Sequence, residues 1–165
     1  MKNLKLKGLK YTEGKFELFN DRFVMFPPQI IDILSSIYGE GVLSLLVWLG
    51  KKAGWNLIQN WDANLRAKSI KDLTNMFTDI MSNLGWGRFV AKKISEDQIV
   101  IEHHTNIATE LENPSKNICY FIKGFLMGFG EYALYRVSVK ETRCSIEDPK
   151  LTHCEYVIDQ KEVIA

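Results

Sequence analysis

Apolar residues recur at helical spacing through much of the first half of the chain. The pattern predicts one helix over residues 30–37, ended by glycines, and a second from about Val42 to Leu65. A third helix is expected after Ser69, because Ser69 and Asp72 have the spacing of an N-cap and an acidic third residue, and it should end at Gly85. Three helices are therefore predicted before the middle of the chain.

Alternating apolar and polar residues predict strands on either side of these helices. Phe16 to Phe26 suits a short hairpin that turns at Asn20-Asp21 and stops at two prolines. Residues 89–94 and 98–104 flank a polar turn and predict a second hairpin, with His103 on the same face as two isoleucines.

The last third is expected to combine one long helix with two strands. Asn113 and Pro114 supply an N-cap and a proline at the first helical position, and the helix should run to about Tyr135. Strands are predicted over 136–141 and 151–158. Because short turns join neighbouring strands, we expect an α+β fold in which an antiparallel sheet packs against several helices.

Three tryptophans lie on the second predicted helix. Trp48, Trp55 and Trp61 follow one another at steps of seven and six residues, close to one helical face. This spacing favours a core or a subunit interface over a cofactor site.

Composition excludes several classes of function. The 21 Lys and Arg residues against 20 Asp and Glu residues give a net charge of +1, without the basic excess typical of direct nucleic-acid binding. The length of 165 residues fits one domain, residues 1–165. The longest apolar run, Val42 to Leu49, is far too short to span a bilayer, and the N-terminus lacks the pattern of an export signal. A cytoplasmic protein is therefore expected.

The sequence contains no recognisable catalytic or nucleotide-binding motif. Gly124, Gly128 and Gly130 lack the spacing of a dinucleotide site and lie within a predicted helix, where we expect them to let another backbone approach closely. No P-loop, Ser-His-Asp arrangement or open metal triad is evident. The sequence therefore does not predict an enzyme.

Candidate chemistry is concentrated in the last third, which contains all three cysteines. Cys119 lies near the start of the long helix, Cys144 follows one of the final strands and Cys154 lies on the other. Glu141 ends an apolar row, where a buried carboxylate needs solvent or a cation. Three thiolates and one carboxylate would form a closed zinc site of the structural type, with Zn–S distances of about 2.3 Å.

The residues alone leave alternatives open. Three ordinary buried thiols fit the pattern as well as zinc does, since free cysteine is among the most buried residue types. A disulfide is a further possibility, although the odd cysteine count disfavours a disulfide framework. His153, Glu147 or Asp148 could take the place of Glu141 as the fourth ligand.

The same segment resembles a known protein family. The pattern is a cysteine opening a helix, glycines one turn apart, a valine-rich strand ending in Glu-x-x-Cys and a return strand with Cys-x-aromatic, here Cys119–Gly124, Gly128, Val137–Cys144 and Cys154–Tyr156. It resembles the 4-vinyl reductase, or hydrocarbon-binding, domain family, with a motif region over 84–159. One departure is the loop of nine residues between the last two cysteines, which is longer than usual in the family.

The resemblance implies a fold, a metal and an assembly. The fold would be the one shared by heme-based nitric-oxide sensors and TRAPP trafficking subunits, usually as a homodimer. Zinc in the family is held by three cysteines and a glutamate, which correspond here to Cys119, Glu141, Cys144 and Cys154.

The implied function is the binding or sensing of a small hydrophobic or aromatic molecule in an apolar pocket. Candidate pocket residues are Phe77, Trp86, Phe125 and Phe129, with His103 or His104 as a polar contact. Two alternatives are an auxiliary role in reducing the vinyl group of a tetrapyrrole and a dimeric scaffold. Regulation of transcription would require a partner that reads DNA.

Overall fold

The computed structural model describes residues 8–24, 27–111 and 115–161, except for the side chains of Glu40 and Leu65. The strands are β1 (Leu9–Thr12), β2 (Lys15–Leu18), β3 (Asp21–Phe23), β4 (Arg88–Ile94), β5 (Gln98–His104), β6 (Val137–Arg143) and β7 (His153–Gln160). The α-helices are α1 (Gln29–Tyr38), α2 (Val42–Leu65), α3 (Ile70–Asn83), α4 (Ile107–Glu110) and α5 (Lys116–Leu134), with a 3-10 turn over Gly39–Gly41.

The first three strands form a small antiparallel sheet in the order β1-β2-β3. The predicted hairpin is confirmed as β2 and β3, but its turn lies one residue earlier than predicted, at Phe19 and Asn20, which both have positive φ, and Asp21 already belongs to β3. Residues 25 and 26 of that prediction lie outside the described residues. Strand β1 was not predicted, because its four residues, Leu9–Thr12, are too short to establish an alternation.

The first three helices agree with the predicted pattern. Helix α2 spans Val42–Leu65 as expected, and it ends where Arg66 adopts a left-handed conformation. The predicted N-cap of α3 is confirmed: Ser69 Oγ accepts a hydrogen bond of 3.1 Å from the backbone N–H of Asp72.

The long helix α5 begins after a different cap from the one predicted. Ser115 is its N-cap residue, and Ser115 Oγ accepts a hydrogen bond of 3.3 Å from the backbone N–H of Asn117. The predicted cap residues Asn113 and Pro114 lie outside the described residues. The helix ends at Leu134, one residue before the predicted end, and Tyr135 follows with positive φ.

A four-stranded antiparallel sheet in the order β4-β5-β7-β6 confirms the predicted α+β fold. One face of the two central strands is fully buried, because Ile99, Ile101, Tyr156 and Ile158 have no exposed surface. Helix α5 packs against β6 and β7, and α3 packs against β4. Helix α2 packs in close contact with α5 and forms a second helical layer over it.

Four glycines bring α2 and α5 together backbone to backbone. A Cβ atom at Gly50 or Gly54 would overlap backbone atoms of α5, and one at Gly124 or Gly128 would overlap backbone atoms of α2. The close approach predicted for the α5 glycines is thus confirmed for two of them. Gly130 instead faces side chains of the large sheet.

The prediction that three tryptophans share one face of α2 is wrong for Trp61. At about 100° per residue, the six-residue step from Trp55 turns Trp61 about 120° around the helix. Trp61 is fully buried against the small sheet, where its ring lies 6.1 Å from Phe19 and 6.5 Å from Phe23. Trp48 is 54% exposed.

Candidate functional site

Four side chains, from α5, β6, β7 and the turn after β6, meet beside the large sheet. One ligand atom each from Cys119, Glu141, Cys144 and Cys154 lies within 4.8 Å of the other three. We call these residues the Cys/Glu group. All three cysteines are free thiols and are buried.

The sheet register and a bulge position the members of the Cys/Glu group. Cys154 lies on β7. Glu141 lies on β6 opposite Tyr156 of β7, and a register shift between Glu141 and Arg143 interrupts the regular pairing there. The chain then turns, with the carbonyl oxygen of Cys144 accepting hydrogen bonds from the backbone N–H groups of residues 147 and 148. Cys119, in the first turns of α5, closes the group from the helical side.

Two polar side chains supply hydrogen bonds to the sulfur atoms. Asn106 Nδ2 lies 3.6 Å from Cys119 Sγ and 3.5 Å from Cys154 Sγ. The backbone N–H of Ser145 donates to Cys154 Sγ over 3.3 Å, and the Ser145 hydroxyl lies at the same distance from that sulfur. Several donors directed at one sulfur stabilise its thiolate form.

The ionisation of the group follows from these contacts. A hydrogen bond from the Cys119 thiol, supported by Ser145, lowers the pKa of Cys154 to about 4. Donating that bond, together with burial, raises the pKa of Cys119 far above its ordinary value. Burial is the main cause that raises the pKa of Glu141, and burial also raises the pKa of Cys144. Without a cation, these contacts thus favour the thiolate at Cys154 over thiolates at Cys119 and Cys144.

The donor set fits a tetrahedral zinc ion. A zinc ion with Zn–S distances of about 2.3 Å places its ligand atoms about 3.8 Å apart, within the spread of the Cys/Glu group. Glu141 Oε1 is buried and has no hydrogen-bond partner among the described residues. A bound cation would satisfy this oxygen and would neutralise the crowded anions.

The alternative fourth ligands left open by the sequence lie elsewhere. His153 contacts Glu102 across the sheet, with 3.8 Å between His153 Nε2 and Glu102 Oε1. Glu147 is ion-paired with Lys116, and its side chain is 62% exposed. Asp148 Oδ1 accepts a hydrogen bond from the backbone N–H two residues later. The geometry therefore favours Glu141 as the fourth ligand.

A cavity of about 460 Å³ lies between the small sheet and the helices. Its described walls are apolar apart from Asn83, and none of them has a charged side chain. They come from the small sheet, from helices α2 to α5 and from residues next to these elements: Leu9, Phe16, Leu18, Phe23, Val24, Pro28, Ala53, Leu57, Met81, Asn83, Leu84, Gly85, Trp86, Ile107, Phe121 and Phe125.

Two of the five predicted pocket residues lie on this wall. Trp86 and Phe125 line the cavity, and Phe121 stands between them, 5.4 Å from the Trp86 ring. Phe77 and Phe129 are not among its lining residues; they are fully buried and stack on each other with 4.0 Å between ring centroids. They form the layer behind Phe125, so we do not retain them as ligand contacts.

His103 is also absent from the cavity wall, contrary to the predicted ligand contact. Its ring is fully buried and stacks on Phe89 at 4.2 Å. Its Nε2–H donates to the carbonyl oxygen of Trp86 over 2.9 Å. Burial lowers the pKa of His103 to about 4, so the ring is neutral, and its hydrogen bond to Trp86 connects it to the cavity wall. The other predicted candidate, His104, forms a 2.9 Å contact with Glu102.

The sequence did not reveal Asn106 and Ser145 as hydrogen-bond donors to the sulfur atoms, and it did not reveal most of the residues that line the cavity. Asn106 caps the short helix α4, and its position before Ile-Ala-Thr-Glu is a recognisable N-cap pattern. Ser145 follows Cys144 directly and carried no signal of its own. The cavity walls from the small sheet depend on contacts between residues far apart in sequence, which periodicity does not encode.

Solved structures share this fold at low sequence identity. The phenol-responsive sensory domain of the transcription activator PoxR, solved with phenol, aligns with a TM-score of 0.76 and 12% identity over 93% of this chain and 85% of that chain. A vinyl-4-reductase family protein from Methanocaldococcus jannaschii aligns with a TM-score of 0.56 and 16% identity over 88% and 87%. An H-NOX domain from Shewanella oneidensis aligns with a TM-score of 0.58 and 11% identity over 87% and 82%. The chain has the fold of these proteins.

The fold relationships predicted from the sequence are thereby confirmed. They include the trafficking branch, since a trafficking protein particle complex subunit 3 from Naegleria fowleri, covalently bound to palmitic acid, aligns with a TM-score of 0.53. At these identities the agreement concerns the fold. No protein-family model and no curated protein matches the sequence. Across the described residues, every helix is too short or too polar to cross a bilayer.

Proposed function

We propose that this protein binds a small, uncharged apolar or aromatic molecule in the cavity, and that the Cys/Glu group holds a structural zinc ion. The cavity carries the proposal: its volume of about 460 Å³ is within the usual range for small-molecule sites, and its described walls are almost entirely apolar. The phenol-bound PoxR sensory domain, which shares this fold, supports a sensing role.

The cavity walls indicate the chemical class of the ligand. An acidic or basic ligand would lose its hydration without gaining a counter-charge, because no described lining residue is charged. Five aromatic rings, from Phe16, Phe23, Trp86, Phe121 and Phe125, favour a planar ligand that can stack on them. An uncharged aromatic compound fits both conditions.

The zinc ion would tie α5 to the two strands β6 and β7. Cys119, Glu141, Cys144 and Cys154 would fill all four positions, so the ion would supply folding energy and would have no open position for a reactant. A reducing compartment such as the cytoplasm would keep the three thiols available for the metal.

A fluorescent probe tests ligand binding directly. The uncharged probe N-phenylnaphthylamine should bind the protein with stoichiometry near one, and phenol or naphthalene should displace it. Ala53→Phe, which projects a ring into the cavity, should weaken the probe at least tenfold, whereas Asn56→Phe on the exposed side of the same helix should not. Leu57→Trp is a second variant that fills the cavity. Equal probe affinity in all four proteins would contradict the proposed site.

We also propose that the protein forms a homodimer. Ile30, Ile33 and Ile37 recur on one face of α1 and are 42%, 59% and 69% exposed, which is unusual for three isoleucines on one helix. Packing this face against a second copy would remove it from water, in a self-complementary contact.

A further inference from the structure

The cavity and the Cys/Glu group share one short segment of chain. Asn106 donates to the sulfur atoms of Cys119 and Cys154, and the next residue, Ile107, lines the cavity. A change in the position of this segment therefore affects both places. Helix α5 provides a second connection, since Cys119 and the cavity residue Phe121 lie two positions apart.

Asn106 differs from a cap residue on the surface, because it is buried and its side chain is hydrogen-bonded both to the backbone and to the sulfur atoms. Its side chain is 2% exposed, and its Oδ1 accepts a hydrogen bond of 3.0 Å from the backbone N–H of Ala108. Its Nδ2 donates only to the two sulfur atoms among the described residues. A buried amide whose donors reach only sulfur is best satisfied by thiolates, the form that binds a metal.

The segment formed by Asn106 and Ile107 is also hydrogen-bonded to the cavity wall. The carbonyl oxygen of Trp86 accepts hydrogen bonds from Ile107 N–H at 3.3 Å and from His103 Nε2–H at 2.9 Å. A Cβ atom at Gly87 would overlap the backbone carbonyls of residues 104 and 105, so the two segments are in direct contact. Two walls of the cavity, Trp86 and Ile107, are thus joined to Asn106 through the backbone.

We propose that Asn106 is a positioning residue that couples metal binding by the Cys/Glu group to ligand binding in the cavity. The inference rests on the proposed function. Metal binding fixes the two thiolates, the thiolates fix the Asn106 side chain, and Asn106 fixes the position of Ile107. A ligand that packs on Ile107 then binds the metal-loaded protein more tightly than the metal-free protein. The ligand must in turn raise the affinity for the metal by the same factor.

The test is a linkage cycle with zinc and N-phenylnaphthylamine. We expect zinc to raise the affinity of the wild-type protein for the probe at least fivefold, and the probe to raise zinc affinity by the same factor in competition with a chelator. Asn106→Ser keeps an oxygen that can cap α4 but cannot reach the sulfur atoms. It should lower zinc affinity about 10-fold to 100-fold and reduce the coupling factor to near one.

A control separates coupling from general stability. Ser69→Ala removes the N-cap of α3, and it should lower stability while leaving the coupling factor unchanged. If Asn106→Ser fails to fold, Asn106→Asp retains the shape and the cap but replaces the donor with an acceptor, and it should lose the coupling as well. Zinc and probe that bind with no mutual effect, or coupling that survives in the Asn106 variants, would overturn this inference alone. Failure of either zinc or the probe to bind the wild-type protein would overturn the proposed function together with it.

Discussion

Replacement of Glu141 by glutamine should change the stability of the protein in opposite directions with and without zinc. Without a metal ion, the carboxylate is buried beside three sulfur atoms, and its Oε1 has no partner among the described residues. Lys116 Nζ lies 3.7 Å from Oε2, but burial outweighs this contact, since the pKa of Glu141 is raised. A neutral amide of the same shape removes the cost of placing a charge there. We expect Glu141→Gln to stabilise the metal-free protein by about 1 kcal/mol, at the low end of the cost of an unsatisfied buried group.

Zinc reverses the sign because the carboxylate is then a ligand. Free zinc at about a thousand times its Kd stabilises a folded protein by about 4 kcal/mol. If the loss of one ligand weakens binding about 100-fold, the upper end of the range seen for residues that support a metal, the same zinc concentration contributes about 1.4 kcal/mol. Because the metal-free variant is the more stable protein by about 1 kcal/mol, the zinc-loaded variant is about 1.7 kcal/mol less stable than the zinc-loaded wild type.

Thermal unfolding by circular dichroism in buffered zinc and in excess chelator, both with a reductant, measures the two differences. For a chain of this size each kcal/mol shifts Tm by about 2–4 °C, so the variant should melt about 2–4 °C higher than wild type without zinc and about 3–7 °C lower with it. Glu147→Gln is the matched control, because Glu147 is largely exposed and is paired with the same lysine, Lys116, as Glu141. Equal loss of the zinc response in the two variants, or a full response in Glu141→Gln, would refute the assignment of the fourth ligand.

Two further predictions concern the cavity and the dimer. Phe77→Leu should lower the free energy of unfolding in urea by about 1–2 kcal/mol, less than the roughly 3–5 kcal/mol that truncation to alanine costs, and should change probe affinity by less than about threefold. Phe125→Leu, on the cavity wall, should weaken probe binding more, and the reverse order would restore Phe77 as a ligand contact. Ile33→Glu should convert the dimer to a monomer in analytical sedimentation and should change the free energy of unfolding by less than about 0.5 kcal/mol. Lys52→Glu on α2 should leave the dimer intact, and a monomeric wild type would exclude the homodimer.

Local patterns predicted much of the fold because their causes are local. The bounds of α2 follow from an apolar periodicity of 24 residues, and the start of α3 follows from the side-chain cap at Ser69. The position of Trp61 could not be found in this way, since it depends on the small sheet that covers it. Strand β1 is stabilised by pairing with β2, which a window of four residues does not reveal.

The two parts of the candidate site differed in how far the sequence could predict them. The Cys/Glu group was predictable because metal ligands are rare residue types at recognisable positions, and the fold brings those four side chains together. The cavity was predictable only at Trp86 and Phe125, because an aromatic residue in a sequence is equally suited to a core and to a wall. Phe77 and Phe129 illustrate the difference: a ring-to-ring contact of 4.0 Å places them in the core.

The glycine contact between α2 and α5 restricts how this protein could acquire a different ligand range. Both helices contribute walls to the cavity, and their separation is set by main-chain atoms, so no exchange of side chains at Gly50, Gly54, Gly124 or Gly128 can move them closer. Any larger residue there would force the pair apart and disturb the whole core. Divergence or engineering of specificity should therefore occur on the opposite wall, at Phe16 of the small sheet and at Val24 after it, because these two side chains line the cavity without belonging to the buried core.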